Sequence, residues 1–442
     1  MSAELLTYTE ADAMVAAYVR GLSPAHRPVE RVALANANGR VLARGIAADQ
    51  DQPPFDRSTR DGFACCAVEA SAHGLLRIAG STHAGETPAG PLPAGSAWEI
   101  MTGAQLPAGA DAVMMVEHIE RQGAQVRLVS PRTIKAGENL VARGAQARAG
   151  EELLGAGTRM GPAQIAITAA CGYATVEVFA QPRVAILTTG DELVAVDQVP
   201  GPGKIRNSNA PMLAVLVAVA GGDPQVLSQA ADNAEALDAA LRGAMGADLL
   251  LISGGVSAGK FDLVEPALAR LGATFHFTGV RIQPGKPLVF GEVLRAEDKK
   301  LLPANQEPQA YKESGGISDD LLASRKQPFF GLPGNPISSA ATFLLFARQV
   351  LAALAGERDA GPHFSAAQLA EPTDRKLKPG LTRFLPARCE FGVPGNPLPQ
   401  VATLRWHGSG DLPAFARANC FVVVPEDAAS LDAGAMVRIL RF

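Results

Sequence analysis

Residues 248–262 read Asp-Leu-Leu-Leu-Ile-Ser-Gly-Gly-Val-Ser-Ala-Gly-Lys-Phe-Asp, and this stretch decides the fold. Leu249 to Ser253 form a short apolar run after an acidic start, which predicts a strand buried on both faces. The run ends at Gly254-Gly255, where the backbone can turn in ways a side chain would forbid. Ser257, Gly259 and Lys260 follow, and a helix is expected from about Asp262 to Leu271. In an open α/β sheet, ligands sit beyond the carboxyl ends of the strands. Backbone N–H groups of Gly254, Gly255 and Ser257 there could hold a phosphate or another oxyanion. The same residues also read as a plain βα turn, and the loop alone does not choose between the two.

Working outward, alternation of short apolar runs and helical stretches marks residues 182–360 as an α/β domain. Strands are expected at 183–188, 226–228, 274–278 and 329–332, in a parallel sheet with helices on both faces. Helices are expected at 209–220, at 232–245 and at 337–355. Asp232, with Glu235 three residues on, reads as the cap of the second of these. Residues 292–327 are polar and read as an inserted loop.

The flanks differ in texture. Residues 49–148 alternate short apolar runs with Pro/Gly turns, as a small β-domain does. Residues 1–48 and 149–181 fall on either side of it and read as one domain built from two segments. Its first helix is expected over 10–20, with Thr9 as cap. Short strands return over 361–442, a second β-domain.

Composition narrows the functional classes. The chain has 442 residues, room for two to four domains at roughly 150 residues each. Its formal net charge is −4, so it has no global basic field for nucleic acid or anionic lipid, and any anion must be held locally. No apolar run is read as approaching the roughly 20 residues of a membrane span. The start lacks the pattern of a secretory signal. The five cysteines are scattered, with no CxxC, and suit reduced thiols in the cytoplasm.

Asp191, Glu192, Asp232 and Asp262 follow strands or begin helices of the α/β domain. Carboxylates there can hold Mg²⁺ against a phosphate. Each alone reads first as a helix cap; the stronger argument is that several would converge on one sheet edge. Arg281 and Lys286 supply positive charge from a turn-rich loop. The polar run from Asp56 to Gly62 reads as a solvated loop or a polar ligand contact. There is no nucleophile elbow, Walker loop, HExxH or GxGxxG.

Assembled in order, the motifs resemble the molybdopterin molybdenumtransferases, the molybdenum-insertion family that includes the C-terminal domain of gephyrin. The resemblance runs from roughly residue 8 to the end. It rests on DRSTRDGFA (56–64), IMTGAQLPAGADAVMMVE (100–117), TTGDELV (188–194), NSNAPML (207–213), GGVSAGKFD (254–262), QPGKPLVFG (283–291) and GLPGNPIS (331–338). It implies an elongated two-segment domain, an inserted β-domain, an α/β domain similar to the molybdopterin adenylyltransferases, and a C-terminal β-barrel. It implies a homodimer with its site between the α/β domain of one subunit and the β-domain of the other. The implied reaction takes adenylylated molybdopterin and molybdate with Mg²⁺, and yields molybdenum cofactor and AMP. The molybdopterin adenylyltransferase and other cofactor-biosynthesis proteins are the implied partners.

Carried onto this sequence, the resemblance assigns Asp61, Glu192, Asp232 and Asp262 as the catalytic set, with Glu192 and Asp262 toward the metal. It assigns Thr102, Lys286, Pro333, Pro336, Arg383 and Ser409 to substrate binding, beside the Gly254-Gly255-Ser257 loop. Gln283 stands where many relatives carry lysine, and Lys260 where an acid is frequent. A non-catalytic scaffold of the same fold is the rival reading; an adenylyltransferase alone would leave the other three domains unexplained.

Overall fold

A computed structural model of the chain describes residues 5–22, 27–255, 263–294, 326–373, 379–392 and 398–442. The expectations placed on Ser257, Lys260 and Asp262 lie outside the described residues.

The strand Leu249–Ser253 is buried along its whole length. It is third in a six-stranded sheet whose order is Asp223–Val226, Arg183–Thr188, Leu249–Ser253, Lys326–Leu332, Val289–Leu294, Thr274–Phe277. The first four strands are parallel. Val289–Leu294 runs antiparallel to both its neighbours, so the sheet is mixed rather than wholly parallel as expected. It follows Thr274–Phe277 without an intervening helix, and such a connection returns the chain in the opposite direction.

Helices cover both faces. On one side Asn209–Val219 and the long helix Pro336–Leu354 bury Leu213, Val217, Phe343 and Phe346 against Val184, Ile186 and Phe330. On the other, Ala234–Ala244 and Val264–Arg270 pack Leu237, Leu241 and Leu268 against Leu250 and Ile252. Pro336–Leu354 overturns one expectation: its 19 residues are long and apolar enough to cross a membrane. It is 89% buried inside the fold, however, which is what a core helix shows. Its segment Phe343–Ala347 is wound as a π-helical turn.

Three local expectations are corrected. The expected strand at 226–228 lies earlier, at Asp223–Val226. The first helix spans Tyr8–Gly21 and is capped by Thr7, not Thr9: Thr7 Oγ1 accepts from Glu10 N–H at 3.1 Å and Glu10 Oε2 accepts from Thr7 N–H at 2.8 Å. The expected insertion is narrower at both ends, because residues 292–294 and 326–327 belong to paired strands. Glu292 and Lys326 join those strands by an ion pair at 2.5 Å.

The first helix packs into the α/β core, with Tyr8 edge-on to Phe346 and Phe384. Beyond it, Val29–Ala33 pairs with Thr175–Phe179, and Ile46–Ala47 with Glu152–Leu154, so residues from both sides of the β-domain close one small core. The β-domain carries a second six-stranded sheet. One of its inner strands, Gly62–Cys65, is fully buried and grows straight out of the polar 56–61 run. The C-terminal strands Phe364–Leu369, Thr382–Glu390, Gln400–Thr403, Cys420–Val424 and Met436–Arg441 close a five-stranded barrel, because Thr382–Glu390 pairs with both Gln400–Thr403 and Cys420–Val424.

Candidate active site

Ser253, Gly254 and Gly255 end the central strand at the carboxyl rim of the sheet. Gly254 has φ +100°, and a Cβ there would stand 2.4 Å from the Thr189 carbonyl oxygen, so the position needs glycine on both counts. Its N–H donates to the Leu332 carbonyl at 3.2 Å. Two neighbouring strand ends, Thr188-Thr189 and Leu332-Pro333, therefore clasp this turn.

Asn209 ties the clasp together. Its Nδ2 donates to Ser253 Oγ at 2.9 Å and to the Gly334 carbonyl at 2.6 Å. Asn207 Nδ2 donates to Thr188 Oγ1 at 2.8 Å. Gly334 stacks on Gly254, with room for a Cβ only 3.7 Å from the Gly254 Cα. Two buried atoms here, Thr189 Oγ1 and Asn209 Oδ1, have no hydrogen-bond partner among the described residues. Unpaired buried polar atoms are costly and concentrate where a ligand completes them.

The Pro333-Gly334-Asn335-Pro336 turn opens the long helix at the same rim. Pro333 is buried and Pro336 is the first helical residue, where its missing N–H costs nothing. The Ile337 N–H donates to the carbonyl of Ser409 at 3.0 Å, which brings the C-terminal barrel's 408–411 turn onto this helix start.

Lys286 reaches the rim by strand reversal. It precedes Val289–Leu294, and because that strand is antiparallel with Val289 opposite Gly331, its start lies beside the ends of the parallel strands. Gly285 seats the loop on the long helix, where a Cβ would fall 2.5 Å from Thr342 Cγ2. The Lys286 side chain is exposed. Behind it, Arg383 Nε donates to Gln283 Oε1 at 3.0 Å and Nη1 to the Leu381 carbonyl at 3.1 Å. Arg383 is only 4% exposed, and burial pushes its guanidinium below the usual arginine range. It anchors Gln283 rather than standing open to solvent.

The acids gather at the end of Arg183–Thr188. The Asp232 carboxylate accepts the Asp191 N–H at 3.2 Å, and Asp191 Oδ1 accepts the Asp232 N–H at 3.0 Å. Asp232 is thus not the helix cap expected of it. The cap of Ala234–Ala244 is Asn233, whose Oδ1 accepts from Ala236 N–H at 2.8 Å. The Glu192 carboxylate folds back over Gly190, where a Cβ would meet Oε2 at 2.6 Å. Among the described residues, no three Asp, Glu, His or Cys side chains converge as a ready metal cage.

Asp61 and Thr102 meet in the β-domain. They flank the antiparallel neighbours Gly62–Cys65 and Ser96–Ile100, in which Gly62 faces Ile100, so the two ends coincide. Asp61 Oδ1 accepts the Thr102 N–H at 2.7 Å and its hydroxyl at 2.9 Å, and these bonds hold the Asp61 carboxyl below the usual range. The structure thus brings Glu192, Asp232, Gly254, Gly255, Lys286, Pro333, Pro336 and Ser409 to one rim and pairs Asp61 with Thr102 elsewhere. Sequence reasoning missed Thr189 and the individual roles of Asn207 and Asn209; the polar NSN directly before an apolar helix was the available signal.

Comparison with known proteins agrees along nearly the whole chain. Residues 6–172 match the family model for the MoeA N-terminal region (domain I and II), 185–353 that for a probable molybdopterin binding domain, and 368–442 that for the MoeA C-terminal region (domain IV). A molybdopterin molybdenumtransferase of Bacillus subtilis is 33% identical over 420 residues, covering 93% of this chain and 89% of the relative. One of Nostoc is 32% identical over 424 residues, covering 93% and 88%. The crystal structure of a molybdopterin biosynthesis moeA protein from Pyrococcus horikoshii matches with TM-score 0.75 and 26% identity, over 99% of this chain and 100% of that one.

Proposed function

Because the chain belongs to the molybdopterin molybdenumtransferase family, we propose that it inserts molybdenum from molybdate into adenylylated molybdopterin, releasing AMP and forming the molybdenum cofactor. The observation that carries this reading is the bonded ring at the rim. Ser253, Gly254, Asn209 and Gly334, distant in sequence, are joined by hydrogen bonds or close packing beside two unpaired buried atoms, and Ser409 is tied to the adjoining helix start through Ile337.

The parts divide the work by charge. The Gly255 end of the glycine turn, past the Gly254 N–H that Leu332 holds, and the Thr189 hydroxyl suit phosphate oxygens. Lys286 suits molybdate, a compact dianion for which a point charge serves. Gln283, held by Arg383, offers it a neutral amide where relatives offer a second cation. The exposed carboxylates Glu192 and Asp232 are hard oxygen donors that fit Mg²⁺, which is bound through one or two carboxylates plus substrate phosphates rather than by a full protein cage. Mg²⁺ there would neutralise pyrophosphate charge; Asp262 completes the proposed set from outside the described residues. The rim residues would hold the substrate while water attacks the pyrophosphate link and AMP leaves, and while molybdate takes up the two dithiolene sulfurs, whose thiol protons carry the displaced oxygen away as water.

Asp61 and Thr102 enter the site from a second subunit in this reading, which makes the protein a homodimer. All five cysteines are free, four of them buried, and this suits the cytoplasm, where an adenylyltransferase would supply the substrate.

The test is release of AMP from adenylylated molybdopterin with molybdate and Mg²⁺. Wild-type protein should release it, and Asp232→Asn should release it roughly a hundredfold more slowly, since the amide keeps an acceptor for the Asp191 N–H but loses the charge. No AMP from authentic substrate, or an Asp232→Asn rate equal to wild type, would overturn the assignment.

A further inference from the structure

The far end of the long helix carries a second polar centre. At 1.5 Å per residue the 19-residue helix Pro336–Leu354 is about 28 Å long, so its carboxyl end lies well away from the rim just described. A cavity of about 430 Å³ opens there, between the first helix and residues 356–361. Val19, Leu22, Ala353 and Ala360 supply apolar wall.

Its charge is unbalanced. Arg20, Arg27 and Arg358 line it, and none has a carboxylate partner among the described residues. Two acids also line it, of which one is bonded to another arginine and the other stands in solvent. Glu357 is held by Arg159 in a two-pronged bond, Nε to Oε1 at 3.0 Å and Nη2 to Oε2 at 2.7 Å. The Asp359 side chain is 85% exposed and lies 4.0 Å from His363.

The chain makes room for these guanidinium groups. A Cβ on Gly155 would fall 2.7 Å from an Arg358 terminal nitrogen, and one on Gly157 2.6 Å from the Arg358 Cγ. A Cβ on Gly356 would fall 3.0 Å from Arg27 Nη1. Arg27 lies 5.7 Å from the Phe179 ring centre, and burial pushes its guanidinium down with no nearby acid to offset it. A partly buried charge without a counter-charge is expensive, and the ordinary remedy is an anion.

We propose that this cavity binds a small molecule with an oxyanion head, phosphate or carboxylate, on a compact apolar body, held by the half-buried Arg27 with the exposed Arg358 and Arg20 beside it. Arginine forks match both heads, and the cavity has apolar wall for the body. The site is separate from the molybdenum-handling rim, and its test does not depend on that reading.

The probes are phenyl phosphate and benzoate, titrated calorimetrically into the full-length protein. Wild type should bind one of them saturably, and the tighter of the two identifies the head. Arg27→Gln, at the half-buried position, should weaken it by about tenfold or more, and the exposed Arg358→Gln and Arg20→Gln less, while Lys286→Gln at the rim should leave it unchanged. Arg358→Gln, at an exposed position, keeps the test decisive if Arg27→Gln folds poorly. Failure of wild type to bind either probe up to about 10 mM, or undiminished binding in folded Arg27→Gln and Arg358→Gln, would mean the arginines only neutralise the helix carboxyl end.

Discussion

Thr189 carries a buried hydroxyl with no partner among the described residues, and the Gly254-Gly255 turn packs directly on it. A Cβ on Gly255 would lie 3.0 Å from Thr189 Oγ1, so the hydroxyl faces the turn that phosphate would occupy. Thr189→Val keeps the shape and removes an unpaired polar atom. Its stability in urea should therefore stay within about 1 kcal/mol of wild type, while AMP release should fall roughly tenfold. Equal activity would show that the hydroxyl serves no substrate. At this scale the sequence misled at adjacent cap formers. Asp232 and Asn233 can both cap Ala234–Ala244, and Asn233 takes the place because Asp232 is already bonded to Asp191, 41 residues earlier. No local pattern records such a bond.

Among the elements, the Leu249–Ser253 strand and its glycine turn are the clearest case of sequence dictating form. Five apolar or small residues with a double glycine behind them could only be buried and then bend. Gly254→Ala should cost at least about 2 kcal/mol, because the backbone sits at φ +100° and the new methyl would collide with the Thr189 carbonyl. Chemical denaturation measures this, and a loss well below that figure would show that the turn relaxes freely. The Gly62–Cys65 strand was harder to see. Its polar approach, 56–61, resembles a solvated loop, and the burial of four small or aromatic residues is decided by strands from 96–100 and 112–115 closing on either side.

Across the whole molecule, His276 couples the first helix to the sheet edge. Its ring lies 5.5 Å from Tyr18 and 4.8 Å from Phe290, and its buried Nε2 has no partner among the described residues. Burial lowers its pKa from the ordinary 6.5, Lys326 lowers it further, and Glu292 opposes them. The unfolded chain thus takes up the proton first as pH falls. Above the ordinary value neither state is protonated and the term vanishes. Below it, stability should decline with falling pH until the folded protein also protonates. Urea unfolding at intervals between about pH 7.5 and 5 should show a steeper loss for wild type than for His276→Phe. Parallel pH profiles would rule out His276 as the source.

The sequence by itself determined the α/β alternation, the glycine turn and the set of motifs, because burial periodicity and backbone permission are local properties. It also carried the family, through residues whose order along the chain is specific even where each piece is not. Only the tertiary structure decided which rim each motif reaches. In a wholly parallel sheet, Lys286, lying before its strand, would stand at the opposite end from Gly254 and Asn209. The antiparallel pairing of Val289–Leu294 with Lys326–Leu332 turns it round to join them, and strand direction depends on partners far along the chain that no local stretch encodes.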